Sequence, residues 1–154
     1  MANNKIAFFP GSFDPFTRGH QDIVLRALPL FDEIVIGIGQ NSNKARYFSL
    51  EKMKGYIEQT FQGKPVRVVT YQDLTANVAK EVGAKFIIRG LRNTTDFEYE
   101  NSISQVNRHI NPELETVFLI TSPHLAPISS TIIRDLHRYG SKIDDYLPYD
   151  LNGI

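Results

Sequence analysis

Five short apolar runs punctuate the chain, at residues 6–9, 33–39, 66–71, 86–88 and 116–120. They are rich in Ile, Val and Phe, the pattern of strands buried on both faces of a parallel sheet. Between them the period changes. Ile23, Val24, Ala27, Leu28 and Phe31 fall on one face of a helix that starts near Gly19. Ser49 can cap a second helix running to Phe61, with Glu51 in its first turn. A short third helix follows residues 72–75 and stops at Gly83. Residues 96–107 read as a helix of mixed polarity, with Phe97, Tyr99 and Val106 available for packing, and a last helix opens within 128–134. Pro10-Gly11 is expected to end the first strand, and the fourth to empty at Arg89. Strand and helix alternate about every thirty residues, the mark of βαβ units with right-handed crossovers. The expected architecture is one α/β domain over residues 1–154. It is a Rossmann-like, doubly wound, five-stranded parallel sheet with helices on both faces.

Composition narrows the class. A chain of 154 residues can bury one substantial core, and 42% hydrophobic with 22% charged residues is ordinary for a globular protein. Seventeen basic residues balance seventeen acidic ones, so no global charge draws the chain to nucleic acid or membrane. With no cysteine, disulfides, thiolate metal sites and thiol catalysis are excluded. The amino terminus runs into the first strand without an apolar leader, and no apolar run approaches membrane-spanning length. A cytoplasmic protein is expected.

Candidate chemistry gathers where strands end. Residues 10–18 join the first strand to the first helix, and the crevice beyond the carboxyl ends of such strands is the usual ligand site. Gly11 and Gly19 let backbone approach a ligand, while Ser12 and Thr17 add hydroxyls. The helix N-terminus supplies unpaired N–H groups and a positive dipole end. That dipole disfavours an imidazolium at His20, which reads as a neutral N–H donor aimed at phosphate oxygen. Thr-x-Gly-His alone could be a plain helix start with a surface histidine. Its place between a strand and an amphipathic helix favours the phosphate reading. Lys44 and Arg46, leaving the second strand, could reach the same crevice, although a solvated loop lysine is the commoner meaning. Arg89 and Arg92 flank Gly90 and suit bidentate phosphate contact, or equally pairing with Asp96, Glu98 or Glu100. Ser129, Ser130 and Thr131 are good cap and first-turn donors, and a cap needs only one of the three.

Thr17-Arg18-Gly19-His20 and Ile128-Ser129-Ser130-Thr131-Ile132-Ile133-Arg134 match the T/H-x-G-H and I-S-S-T/S-x-x-R signatures of the nucleotidyltransferase superfamily. Gly11-Ser12-Phe13-Asp14-Pro15, Ile88-Arg89-Gly90-Leu91-Arg92, Asp96-Phe97-Glu98-Tyr99-Glu100 and Asn107-Arg108-His109 are narrower. With them the chain closely resembles the phosphopantetheine adenylyltransferases, from Pro10 to Pro148. The resemblance implies transfer of the adenylyl group of ATP to 4′-phosphopantetheine, with Mg²⁺, giving dephospho-coenzyme A and pyrophosphate, in a homohexamer. By motif position it implies catalytic roles for His20, Lys44 and Arg92. It puts Ser12, Phe13, His20, Gly90, Leu91, Arg92 and Glu100 along ATP, together with Leu125, Ala126, Pro127, Ile128, Ser129, Ser130 and Thr131. It puts Ser12, Lys44, Leu74, Thr75 and Arg89 along phosphopantetheine. Three positions depart from the family pattern: Ser12 stands where threonine is usual, Leu125 where an aromatic residue often appears, and Thr75 where the family is frequently apolar.

The residues agree with that chemistry on their own terms. A phosphate monoester is already ionised near neutral pH, so its attack on an α-phosphate needs no general base. What remains is positioning two anions in line and neutralising the departing pyrophosphate. Direct transfer is expected, because Ser12 has no evident histidine–carboxylate relay to make it a nucleophile. Two rivals stay open. One is another superfamily member, such as a nicotinamide-nucleotide adenylyltransferase or a cytidylyltransferase. The other is a non-catalytic nucleotide sensor, which would have no need of His20, Lys44 and Arg89 together.

Overall fold

The computed structural model describes residues 4–41 and 43–152; the reading of the amino terminus therefore falls partly on residues 1–3, outside the described set. The strands are β1 (Ile6–Gly11), β2 (Glu33–Gly39), β3 (Val66–Tyr71), β4 (Phe86–Leu91) and β5 (Glu115–Ile120). They form one sheet in the order β3-β2-β1-β4-β5, every pair parallel. The chain builds outward from β1 to β3, then returns to lay β4 on the other side of β1. The ends of β1 and β4 thus flank a topological switch point.

Side-chain alternation explains why helices cover both faces. Ala7, Phe9, Ile34, Ile36 and Ile38 pack with Val24 and Ala27 of α1 (Arg18–Ala27) and Met53, Tyr56 and Ile57 of α2 (Leu50–Thr60). Phe8 and Val35 point the other way, onto Ala76, Val78 and Ala79 of α3 (Thr75–Glu81) and Leu114. The long helix α4 (Thr94–Ile110) packs beside α3 on β4 and β5. A last helix, α5 (Ser130–Arg138), joins the carboxy-terminal segment through Ile133, Ile143 and Leu147. The expected α/β, doubly wound sheet is the one observed. No helix among the described residues is long and apolar enough to cross a membrane.

Three local expectations change. β1 does not stop at Pro10; it pairs with β2 through Gly11↔Ile38. Its pairing with β4 covers only Ala7 and Phe8, so Pro10 sits where no partner asks for its missing N–H. β4 does not empty at Arg89 but continues through Leu91, with Arg89, Gly90 and Leu91 opposite Phe118, Leu119 and Ile120. The apolar residues of α4 that were available for packing stay largely exposed: Tyr99 and Val106 are 67% and 58% exposed, and Phe97 only edges onto the Phe118 ring, while Ile103 alone turns inward. Its buried positions are polar, Glu100 and Asn107.

Candidate active site

The loop from β1 to α1 is organised by a capping box in which histidine takes the place usually held by glutamate. The Thr17 hydroxyl accepts from the His20 backbone N–H at 3.3 Å, and His20 Nδ1 accepts from the Thr17 backbone N–H at 2.9 Å. A backbone N–H can only donate, so Nδ1 carries no proton and Nε2 does. The ring is packed by Phe9, Phe13 and Phe16, with centroids 6.2, 5.0 and 5.2 Å away. Burial, and then the charges of Arg89 and Arg92, lower its pKa from 6.5 to about 3. His20 is therefore a neutral N–H donor with a fixed tautomer, as its place in the sequence suggested.

Phe13 holds the bend with φ +46°, in the left-handed region. Its ring lies over Gly11, where a Cβ would come within 2.8 Å of it, so Gly11 answers to Phe13 as much as to a ligand. Arg46 fastens the bend, donating to the carbonyls of Ser12 (2.5 Å), Phe13 (2.9 Å) and Phe48 (3.2 Å). Asp14, buried, accepts from the backbone N–H groups of Tyr47 (2.9 Å) and Phe48 (2.8 Å), and its own carbonyl accepts from Arg134 of α5. Arg46, placed by sequence near the crevice, is thus spent on backbone. Lys44 lies exposed in the same loop.

From β4, the Arg89 guanidinium makes a two-point pair with the buried Glu100 carboxylate, at 2.8 and 2.7 Å, and also donates to the Pro10 carbonyl. Arg92 pairs with Asp96 at 3.0 and 3.3 Å; that bond raises the Arg92 pKa and lowers that of Asp96. Phosphate contact and pairing were the alternative readings of the two arginines; the structure shows the pairing, and both side chains also line a cavity at the switch point. The three hydroxyls of α5 divide their work. Ser129 caps the helix, Ser130 donates to the Pro15 carbonyl at 2.8 Å, and Thr131 accepts from Arg134.

Two cavities open at the switch point. The first, of about 280 Å³, is lined by Gly11, Ser12, Phe13, Thr17, His20, Arg89, Gly90, Arg92, Glu100, Leu125, Ile128, Ser129 and Ser130, among others. The second, of about 320 Å³, is lined by Ser12, Tyr71, Thr75, Arg89, Glu100, Ser104 and Asn107 and their neighbours. Gly11, Ser12, Arg89 and Glu100 belong to both walls. Most sequence-assigned residues are brought together here. Leu91, Ala126, Pro127 and Thr131 lie beside the first cavity's lining residues in sequence without lining it, and Lys44 and Leu74 line neither cavity.

Comparison with known proteins decides the family. A profile of the Cytidylyltransferase-like family matches residues 8–136. The chain is 58% identical to the phosphopantetheine adenylyltransferase of Cytophaga hutchinsonii, over 96% of this chain and 99% of that protein. The Flavobacterium johnsoniae protein of the same name is 52% identical, over 92% and 93%. The chain belongs to the phosphopantetheine adenylyltransferase family. It is accordingly an enzyme of the nucleotidyltransferase class, which removes the non-catalytic sensor from consideration. Solved structures show the same fold at low identity. A bifunctional NMN adenylyltransferase/ADP ribose pyrophosphatase from Francisella tularensis superposes with a TM-score of 0.70 at 21% identity, covering 96% of this chain and 45% of that one.

Several cavity-lining residues were not assigned to a site in the sequence reading. Thr121 and Asp96, the latter read only as an arginine partner, line the first cavity, and Tyr71, Ser104, Asn107 and Thr116 the second. For Ser104 and Asn107 a signal existed: with Asp96 and Glu100 they recur at helical spacing, a polar stripe on one face of α4. Tyr149 gave none. It reaches back from the carboxy-terminal segment to donate to the Phe16 carbonyl at 2.7 Å and to stack on Tyr56. Burial raises its pKa, keeping the phenol a donor.

Proposed function

We propose that the protein transfers the adenylyl group of ATP to 4′-phosphopantetheine, giving dephospho-coenzyme A and pyrophosphate by direct in-line attack. ATP occupies the first cavity and the acceptor the second. The observation that carries this reading is the shared wall: two sites meet at Gly11, Ser12 and Arg89, with Glu100 holding the Arg89 guanidinium, where two phosphates must meet for transfer. His20 Nε2–H, Arg92 and the α5 N-terminus hold the triphosphate, and the His20 donor, set before reaction, meets charge that grows as pyrophosphate departs. Arg89 meets the acceptor phosphate, and the exposed Lys44 swings in from its loop as a further cation. Ser12 is not a nucleophile: the Nδ1 of His20 is taken up by the Thr17 N–H, and the Glu100 carboxylate by Arg89.

Bound together with the nucleotide, Mg²⁺ would supply counter-charge to its phosphates. Among the described residues no cluster of three or more His, Asp or Glu side chains forms a cage for it. A site of hydroxyls, backbone N–H groups and cations suits a nucleotide that brings its own ion. The working form is a cytoplasmic homohexamer, and the outward apolar residues of α4 supply surface for assembly.

The test supplies ATP, Mg²⁺ and 4′-phosphopantetheine and looks for dephospho-coenzyme A, with nicotinamide mononucleotide as the competing acceptor and CTP as the competing nucleotide. Equal turnover with either competitor would overturn the reading.

A further inference from the structure

Tyr71 closes β3 and Thr75 opens α3, one turn on, and their hydroxyls are hydrogen-bonded at 3.1 Å. Both line the second cavity and neither lines the first. The phenol ring is held against Phe8, centroids 5.7 Å apart, so its hydroxyl has a fixed position. A bond between two hydroxyls uses one of their two protons. One O–H donor and free lone pairs remain beside the cavity. That is the complement of a secondary amide, which needs one donor for its carbonyl and one acceptor for its N–H. Burial raises the Tyr71 pKa, against smaller opposing effects from Thr75 and Arg89, so the donor persists at ordinary pH.

The acceptor's direction places the pair along the arm and not at the phosphate. Its phosphate must lie at the wall common to both cavities, with Ser12 and Arg89, whereas Tyr71 and Thr75 belong to the second cavity alone. We infer that the Tyr71–Thr75 hydroxyl pair is a specificity element that reads the amide of the pantetheine arm remote from the phosphate. This rests on the acceptor reading of the second cavity. The pair touches no reacting atom, so it supports binding in ground and transition state alike, an effect that appears in KM and not in kcat.

The experiment compares wild type with Tyr71→Phe, Thr75→Val and the double variant, using two acceptors at saturating ATP. One is 4′-phosphopantetheine. The other is the 4′-phosphate of pantothenyl alcohol, which keeps the first amide and ends in a neutral hydroxyl before the second. With the full acceptor, Tyr71→Phe should raise KM roughly five- to tenfold, the loss of one hydrogen bond, with kcat and the KM for ATP within about twofold. The double variant should add little, because the pair acts as a unit. With the truncated acceptor all four proteins should show the same KM. An unchanged KM for the full acceptor in both single variants overturns the inference, and so does an equal rise with both acceptors, which would mark the pair as merely a staple between β3 and α3. Wild-type enzyme that forms no dephospho-coenzyme A would instead overturn the proposed function.

Discussion

His20 shows how much one ring nitrogen can determine. Its Nδ1 answers to Thr17, so the other edge has one chemical identity, a donor. His20→Ala removes that donor and the reciprocal half of the capping box. It should cost about 1 kcal/mol of stability and on the order of a hundredfold or more in kcat. Thermal unfolding and single-turnover rates check the two separately; a folded variant with near-normal turnover would take His20 out of the mechanism. The depressed pKa also carries a sign. Between about pH 3 and 6.5 the unfolded chain binds a proton at His20 that the folded chain refuses. Stability therefore falls as pH drops through that window, with a slope of at most about 1.4 kcal/mol per pH unit from this one group. His20→Gln should flatten that part of the profile, and in the ligand-free protein the His20 ring signals should not titrate between pH 5 and 8. A midpoint near 6.5 would contradict the burial argument. The helix dipole was legible in the sequence, but the tautomer was not, because it depends on which ring edge meets the Thr17 N–H.

Among the elements, what the sequence displayed was period and punctuation. Ser49 and Ser129 sit at the N-caps of α2 and α5, and Gly83 has φ +81° just past α3. Arg89-Gly90-Leu91 looked like a loop because strand propensity disfavours glycine and a charge, yet β5 supplies a full register for it. Arg46 was misleading in the opposite sense: a cation in a strand-end loop resembles a phosphate ligand, and only the fold reveals three carbonyls converging on it. The carbonyls of Ser12 and Phe13 flank the left-handed Phe13, so Arg46 keeps the β1–α1 loop in a conformation it would otherwise leave. Arg46→Ala should lower stability by about 2 kcal/mol, the loss of several bonds to a charged donor, and Tm by roughly 4–8 °C. Since Ser12 lines both cavities, KM should rise for ATP and acceptor together. Arg46→Lys should recover little, because an ammonium cannot span three acceptors as the planar fork does. Full stability with a defect confined to ATP would return Arg46 to the nucleotide site.

For the whole molecule, the telling feature is a helix that buries two polar residues and leaves several large apolar ones exposed. α4 turns Glu100 and Asn107 inward, where Glu100 holds Arg89, and leaves Phe97, Tyr99, Val106 and Ile110 outward at 44, 67, 58 and 39% exposure. Ile120, at the end of the edge strand β5, is 74% exposed. The sequence showed a helix of mixed polarity with Phe97, Tyr99 and Val106 available for packing, but not what they would pack against. The inner side of α4 carries Glu100, Ile103, Ser104 and Asn107, which line the second cavity. The apolar face is left for another surface, and scattered exposed apolar residues are ordinary only when they do not gather on one element. If copies of the chain cover it, the purified protein should sediment well above the mass of one chain. Tyr99→Asp with Val106→Asp should then bring it toward monomer while leaving the secondary structure intact, since neither side chain is buried within the chain. The catalytic consequence follows from the same helix: Glu100 fixes Arg89 from the inner side of α4, so loss of the outer contacts should loosen that pair and weaken acceptor binding more than ATP binding. Sedimentation and the two KM values measure these outcomes independently. A wild-type protein that sediments as one chain, or a double variant that keeps its mass, would mean that α4 is covered by something other than its own kind.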